Sequence, residues 1–344
     1  MVLNLETIKN ITCGAVEVVQ EADGIHFYRM TKQQLALYKD TNVGFYNKGL
    51  TSAGIKLSFK TDSASLKLDL TLQPVMARTY SAVEIHVNGA RMDSINNFEG
   101  KDISGNYAEQ VYPCGRCKKA FDLGIGEKEV CVHFPRLINT IVHSVELDEG
   151  AHCVPVKPEK KALVFGDSIT QGFDCLWPSS HYVEQLCREL HAEEFNKGIG
   201  GEQYMPGLAD CKESFVPDYI IVGYGTNDWR CATVEEFRNN CRGFYKNLHR
   251  NYPGVPVIAI TPIWRTNMEA VRDNVCFGTI HEIEEYVRQV TAGYDNITVI
   301  RGFELIPHES GYFGDLCLHP SDEGFAHYGK NLIRSLRDCG FLHV

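Results

Sequence analysis

The hydrophobic pattern of this chain changes once along its length, and that change constrains the fold more than any other feature. Up to residue 147 apolar side chains alternate with polar ones, whereas from residue 162 onward apolar runs alternate with segments of helical periodicity. Between them lies VPVKPEKK, residues 154–161, with two prolines and four charged residues. A chain of 344 residues that is 44% apolar can form two cores. We therefore expect an N-terminal domain of residues 1–153 and a C-terminal domain of residues 154–344.

The N-terminal pattern has a period of two, which is typical of strands with one buried and one solvent-facing side. The dipeptide Asn88-Gly89 directly follows one such run, and it suits a two-residue hairpin turn because both central residues need a positive φ. The pattern predicts an antiparallel, jelly-roll-like β-sandwich. Its alternating apolar residues are Ile55, Leu57 and Phe59; Leu66, Leu68, Leu70 and Leu72; Val83, Ile85 and Val87; and Val130, Val132 and Phe134.

The C-terminal pattern predicts strands alternating with helices. The apolar runs are 162–165, 219–224, 255–261 and 297–300, and the intervening segments 183–190, 234–248 and 280–290 have helical spacing. Thr233 and Glu236 form a plausible capping box for the middle helix. Such alternation favours right-handed crossovers and a parallel sheet covered on both faces, a three-layer α/β/α domain. In these sheets ligands bind beyond the carboxyl ends of the strands.

Four polar clusters are expected at that edge. GDSI contains Ser168 and follows the first strand, NKGIGG (196–201) is expected after the second, GTND (225–228) after the third, and DLCLHP (315–320) lies before the last helix. Each alone has an ordinary explanation as a turn, a helix cap or a surface residue. Together and in this order they offer a nucleophile, oxyanion donors, a base and a group to orient it.

With these motifs, residues 161–337 resemble the SGNH (GDSL-type) hydrolase superfamily. The resemblance implies Ser168 as nucleophile, His319 as base and Asp315 as the acid that orients it. It also implies an oxyanion hole made by the N–H groups of Ser168 and Gly201 and the side chain of Asn227, with neither a metal nor a cofactor. In the family the acid stands three residues before the histidine, whereas here the spacing is four. Either Asp315 still reaches His319, or a backbone carbonyl orients the base instead.

A β-sandwich ahead of such a domain resembles the layout of esterases that remove acetyl groups from polysaccharides. We therefore expect a serine esterase for short acyl esters, with a small-molecule or oligosaccharide ester as substrate. Four aromatic residues near the predicted crevice could stack on sugar rings or simply pack loop bases. They are Trp177, Tyr204, Trp229 and Trp264. Arg265, next to Trp264, could bind a substrate carboxylate or hydroxyl, or pair with a surface acid.

Two other functions remain open at this stage. A lipid or thioester acylhydrolase would use the same chemistry with a long apolar acyl groove. A sugar-binding protein without turnover would not need an oxyanion donor beside a serine, so Ser168, Asn227 and His319 argue against it.

Composition excludes several other classes. The net charge of −10 is spread along the chain, and no basic stripe interleaves with aromatic residues, so we expect no nucleic-acid partner. No apolar run is long enough to span a bilayer, and the N-terminus lacks a signal-peptide pattern, so we expect a cytoplasmic protein without a membrane partner. Thirteen cysteines favour buried thiols in a reducing compartment. The pair Cys114 and Cys117 in CGRC has no second such pair, which favours structural thiols over a metal site.

Overall fold

A computed structural model describes residues 1–268 and 278–342, apart from residues 102, 104 and 105. The first half contains eleven strands and three helices in this described part. They are α1 (Leu5–Ile11), β1 (Thr12–Cys13), β2 (Glu17–Glu21), β3 (Gly24–Tyr28), α2 (Lys32–Thr41), α3 (Val43–Gly49), β4 (Lys56–Thr61), β5 (Ser65–Pro74), β6 (Ala82–Val87), β7 (Ala90–Asn96), β8 (Gly115–Asp122), β9 (Lys128–His133), β10 (Ile138–Leu147) and β11 (Val154–Pro155).

These strands form two antiparallel sheets. One has the order β1-β4-β9-β6-β7 with β11 also paired to β4, and the other has the order β2-β3-β10-β5-β8. The alternating apolar residues of both sheets meet in one buried cluster, for example Leu57, Leu68 and Val132. Asn88 and Gly89 both adopt a positive φ, 50° and 81°, in the turn between β6 and β7. The predicted β-sandwich and its hairpin are confirmed.

The second half has five strands and seven helices in its described part. They are β12 (Lys160–Gly166), α4 (Ser168–Gln171), α5 (Tyr182–Leu190), β13 (Ala192–Asn196), α6 (Pro206–Asp210), β14 (Tyr219–Gly223), α7 (Thr226–Cys231), α8 (Val234–Asn251), β15 (Val257–Ile260), α9 (His281–Thr291), β16 (Ile297–Ile300) and α10 (Asp322–Asp338). The capping box of α8 is present, because Thr233 and Glu236 exchange side-chain to backbone hydrogen bonds.

The five strands form a parallel sheet with the order β13-β12-β14-β15-β16. Alternate residues of β12 face opposite sides: Leu163 joins the cluster with α8 and α9, and Val164 joins the cluster with α5 and α10. Helices therefore cover both faces, and the predicted three-layer domain is confirmed. The strand order reverses at β12, so the crevice at the carboxyl ends of β12 and β14 is the expected ligand position.

The two halves share buried contacts. Tyr38 on α2 is fully buried in the core cluster beneath the parallel sheet, and Arg136 forms a buried ion pair with Glu194 on β13 at 2.6 Å. The short strand β11 lies just after the predicted boundary yet pairs with β4 of the sandwich. The division at residue 153 stays a prediction. No helix in the described part is long and apolar enough to cross a membrane.

Candidate active site

Ser168 is the first residue of α4, which follows β12 after a single intervening residue. That residue, Asp167, caps the helix, and its Oδ1 accepts the Ile169 N–H at 2.9 Å. Burial raises the pKa of Asp167 to about 6, against the lowering effect of this hydrogen bond. The tight turn fixes Ser168 at the carboxyl end of β12. Within the described part of the chain its backbone N–H has no hydrogen-bond partner.

Ser168, His319 and Asp315 form one hydrogen-bonded chain. His319 Nε2 lies 2.7 Å from Ser168 Oγ, and His319 Nδ1 lies 2.6 Å from Asp315 Oδ2. Because an ionised carboxylate only accepts hydrogen bonds, Nδ1 carries the imidazole proton and Nε2 accepts from the serine hydroxyl. This is the geometry in which an imidazole can take a proton from a serine.

The turn of residues 315–319 explains how the longer spacing still works. Asp315 Oδ1 accepts the N–H groups of Cys317, Leu318 and His319 at 2.9, 2.7 and 3.0 Å. Leu316 adopts φ 59°, which closes the turn. Burial raises the pKa of the Asp315 carboxyl, but the hydrogen bond and charge of His319 and two of these N–H groups outweigh it and hold the pKa well below its usual range. Asp315, rather than a carbonyl, therefore contacts His319 Nδ1.

Gly201 follows β13 and Asn227 follows β14, the two strands on either side of β12, at the same edge of the sheet. Residues 199–202 form a tight turn closed by the Glu202 N–H on Ile199 O at 3.0 Å, with Gly201 at φ 88°. The exposed Gly201 N–H, like that of Ser168, has no partner among the described residues. Asn227 Nδ2 donates to Glu202 O at 2.9 Å, which holds the amide beside this turn and leaves its second N–H available.

Buried hydrogen bonds hold the glycine turn of residues 199–202 in place. Glu202 is fully buried, and its two oxygens accept from Tyr38 OH and Tyr224 OH, each at 2.6 Å. Burial raises the pKa of Glu202 to about 8, against the lowering effect of the two tyrosines. The Gly200 N–H donates to Gln171 Oε1 at 2.7 Å, which ties the turn to the helix of Ser168.

Two of the four predicted sugar-binding aromatics are not at the crevice. Tyr204 and Trp229 are each 1% exposed and belong to the core cluster beneath the parallel sheet. The Tyr204 hydroxyl lies 3.3 Å from that of Tyr245. The prediction for these two residues is wrong, because their rings turn inward and pack the base of the loops.

Trp177 and Trp264 are partly exposed. Trp177 lines a cavity of about 460 Å³ with Phe98 and Arg91, whose guanidinium lies 4.0 Å from the indole centroid. Trp264 stacks on His308 with a centroid separation of 5.2 Å. A substrate-binding role for these two residues stays a prediction.

The side chain of Arg265 is buried rather than on the surface. It is 2% exposed, and its guanidinium donates to Thr226 Oγ1 at 2.9 Å and to Asn267 Oδ1 at 2.6 Å. It therefore supports the start of α7, the helix that carries Asn227.

Motif reasoning missed a group of residues that surrounds His319. The Phe173 ring lies 5.2 Å from the His319 ring, and the Arg78 guanidinium lies 5.4 Å from Phe173. Arg78 and Tyr80 both hydrogen-bond to Asp174, which is fully buried. Arg78 and Tyr80 come from the N-terminal half, so no local pattern indicates that they lie here.

No cysteine thiol in the described part of the chain belongs to the hydrogen-bonded chain of Ser168, His319 and Asp315. The twelve cysteines within the described residues are all free thiols. Burial raises the pKa of both Cys114 and Cys117, and Cys114 Sγ donates to Thr79 O at 3.2 Å. This agrees with structural thiols.

Two clusters of the described residues bring three metal-ligating groups together. One is the exposed group Glu21, Asp23 and His26. The other joins Asp174 to Asp315 and His319, but both ring nitrogens of His319 already serve the hydrogen-bonded chain. A metal there would have to break that chain, so these residues do not fit one.

A parallel α/β sheet carries a hydrogen-bonded serine, histidine and aspartate at its carboxyl edge, behind a β-sandwich, an arrangement suited to attack by a serine hydroxyl. Residues 164–327 match the GDSL-like Lipase/Acylhydrolase family, so this part of the chain is a domain of that family. The resemblance found in the sequence is confirmed. Comparison with curated protein sequences gives no match.

Solved structures share the whole two-part fold. A salicylyl-acyltransferase, SsfX3, from a tetracycline biosynthetic pathway superimposes with a TM-score of 0.78 at 17% identity, over 96% of this chain and 95% of that one. A putative GDSL-like lipase from Bacteroides ovatus gives 0.75 at 18% identity, over 100% and 98%. A family two carbohydrate esterase from Clostridium thermocellum in complex with cellohexaose gives 0.60 at 16% identity, over 84% and 94%. The family match of residues 164–327 and the carbohydrate-esterase neighbours of this chain support an enzyme that hydrolyses ester bonds.

Proposed function

We propose that the protein is a serine esterase that removes short acyl groups, acetyl above all, from carbohydrates. The observation that carries the proposal is the continuous hydrogen-bonded chain from Ser168 Oγ through His319 to Asp315, with contacts of 2.7 and 2.6 Å. A serine hydroxyl is a poor nucleophile without a base, and this chain supplies both the base and the group that fixes its tautomer.

In the proposed mechanism Ser168 Oγ attacks the ester carbonyl while its proton passes to His319 Nε2. The N–H groups of Ser168 and Gly201 and the Asn227 amide receive the charge on the carbonyl oxygen. The carbonyl-to-alkoxy bond then breaks, and His319 gives its proton to the departing alcohol. Water, deprotonated by His319, attacks the acyl-serine and releases the acid, and the proton returns to Ser168.

The carbohydrate substrate rests on fold likeness, supported by family two carbohydrate esterases with the same arrangement of a β-sandwich before the hydrolase domain. Partly exposed rings beside the hydrolase strands, Trp177 and Trp264, supply faces on which a sugar could stack. A lipid or thioester acylhydrolase remains the competing function.

The test is a series of p-nitrophenyl esters of increasing chain length, followed by acetylated mono- and oligosaccharides. We expect a sharp preference for acetyl and release of acetate from acetylated sugars. A preference for long acyl chains would instead support a lipid or thioester acylhydrolase.

Removing the nucleophile or the base tests the mechanism. We expect Ser168→Ala or His319→Ala to lower kcat by about 10⁴-fold, because the members of such a unit fail together. Labelling by a fluorophosphonate probe should disappear in Ser168→Ala. Retention of a tenth of the wild-type kcat, or absence of labelling in the wild type, would contradict the assignment and favour a binding protein.

A further inference from the structure

Asp174 lies against the loop that carries the catalytic histidine. A Cβ added to Gly314 would come within 2.6 Å of Asp174 Cβ, so the two backbones are in close contact. One oxygen of Asp174 lies within 4.8 Å of ligand atoms of both Asp315 and His319. The mechanism described above does not use this carboxyl.

The N-terminal half holds this carboxyl in place. Tyr80 OH donates to Asp174 Oδ1 at 2.9 Å and accepts the Asp174 backbone N–H at 2.6 Å, while Arg78 Nε donates to Oδ1 at 3.2 Å. Asp174 adopts φ 62°, a conformation that Asp tolerates better than most residues. Two residues of one half therefore fix one oxygen of an acid in the other half.

The second oxygen has no such partner. Asp174 Oδ2 is buried and accepts no hydrogen bond within the described part of the chain. A buried carboxylate oxygen without a partner is costly unless a nearby positive charge compensates it. The group closest to it that gains positive charge during the reaction is His319.

We propose that Asp174 is a second positioning acid for His319, held by the N-terminal half, which stabilises the imidazolium together with Asp315. The proposal rests on the proposed function, because it requires that His319 be protonated during turnover. It gives the β-sandwich a part in the reaction besides shaping the cleft.

The surrounding charges support this coupling. Burial raises the pKa of Asp174 and the Asp315 charge raises it further, whereas His319 and Arg78 lower it. His319 and two backbone N–H groups also hold the pKa of Asp315 low, so the charges of both acids are coupled to His319. The titratable groups that face this pair are Arg78, Tyr80, Tyr107, Asp167 and Asp315.

Asp174→Asn separates charge from structure. The amide oxygen can accept the same bonds from Tyr80 and Arg78, so the variant keeps the local hydrogen bonds and loses only the charge. We expect kcat to fall about tenfold with KM nearly unchanged, since the imidazolium forms only during the reaction. The acidic limb of kcat/KM that reports His319 should move to lower pH by roughly half a unit to one unit, because a nearby negative charge is gone.

Two further variants complete the experiment. Asp174→Gly suits the same backbone, because glycine adopts φ 62° without strain, and it should shift the limb in the same direction. Asp322→Asn is the matched control: it neutralises a partly buried acid, which accepts the Trp177 N–H at 3.0 Å and lies outside the His319 cluster, and it should leave the limb in place.

An unchanged limb in both Asp174 variants, or an equal shift in Asp322→Asn, would overturn the proposal. Ser168→Ala is assayed in parallel. If that variant keeps its activity, the proposed function fails; if it is inactive while the Asp174 variants keep the wild-type profile, only the role of Asp174 fails.

Discussion

The two carboxylate oxygens of Asp315 make different contacts. Oδ1 accepts three consecutive backbone N–H groups and so builds the turn, while Oδ2 faces His319 Nδ1. Because the same carboxylate stabilises the turn and contacts His319, the extra residue in the spacing does not move the acid away from the histidine. The charge and the shape of the loop therefore depend on one side chain.

Because the two oxygens have separate roles, we expect two substitutions of Asp315 to differ in their effect on stability. Asp315→Asn can keep the backbone hydrogen bonds through its oxygen, but its amide N–H meets His319 Nδ1 and disfavours the tautomer that catalysis needs. We expect it to lower kcat by about 10² to 10³-fold with little change in stability. Asp315→Ala also removes the loop hydrogen bonds, so we expect a further loss of about 1 to 3 kcal/mol in the free energy of unfolding.

Steady-state kinetics and urea denaturation of both variants check this prediction. Equal stability of the two would mean that the loop does not depend on Oδ1. A loss of kcat under about threefold in Asp315→Asn would mean that the charge of the acid is not needed.

Residues in local motifs were predictable, and residues that depend on packing were not. Ser168, Asn227 and His319 each follow a recognisable strand or precede a helix, so their common edge could be inferred. Tyr204 occupies a similar position in the sequence, yet its ring is buried. Whether a loop aromatic turns inward depends on contacts distant in sequence, such as Tyr245, which a local pattern does not contain.

At the scale of elements, β13 shows why one strand of the parallel sheet lacks an apolar run. Its sequence AEEFN contains two glutamates, and both are buried. Glu194 pairs with Arg136 at 2.6 Å, and Glu193 accepts the Gly14 N–H at 2.7 Å. Partners from the N-terminal half thus make a charged strand tolerable, whereas β12, β14, β15 and β16 could be located from their apolar residues alone.

Glu202, in the glycine turn after β13, makes the free energy of unfolding depend on pH. Burial raises the pKa of Glu202 to about 8, so the folded protein binds a proton more tightly there than the unfolded chain. The stabilisation that this proton gives to the folded state is complete below the unfolded pKa near 4.5, and it is lost as pH rises to about 8. We expect Glu202→Gln, which cannot ionise, to lose less stability than the wild type between pH 5 and 8.5.

Urea denaturation of the two proteins at several pH values measures the difference. Asp228, whose pKa burial raises to about 7, affects both proteins alike, so the difference reports Glu202 together with its coupling to Asp167. The exposed Glu285→Gln controls for the loss of one charge and should follow the wild type. Parallel curves for wild type and Glu202→Gln would contradict the prediction.

At the scale of the whole molecule, the N-terminal half contributes to both sides of the crevice. The side chains of Phe45 and Lys48 on α3 lie within 4 Å of a Cβ built on Gly201, and the Tyr107 N–H donates to Gly314 O at 2.9 Å beside the histidine loop. The change of hydrophobic period indicated two cores, but it could not show these contacts. They join residues more than 150 positions apart, which periodicity does not report.

This interlocking predicts that the halves unfold together. Leu68 is fully buried between the two sheets, far in sequence from the three tryptophans, which all lie after residue 154. Leu68→Ala should cost about 2 to 5 kcal/mol. Tyr38 and the Arg136–Glu194 pair join the sandwich half to the parallel-sheet half. We therefore expect tryptophan fluorescence in urea denaturation to report the full loss of unfolding free energy, with a transition that coincides with that of far-UV circular dichroism.

Leu248→Ala, in the core under the parallel sheet, is the control and should shift both signals in the same way. A contradicting result would be a fluorescence midpoint of Leu68→Ala at the wild-type value together with a biphasic dichroism curve. The sandwich would then unfold as an independent unit.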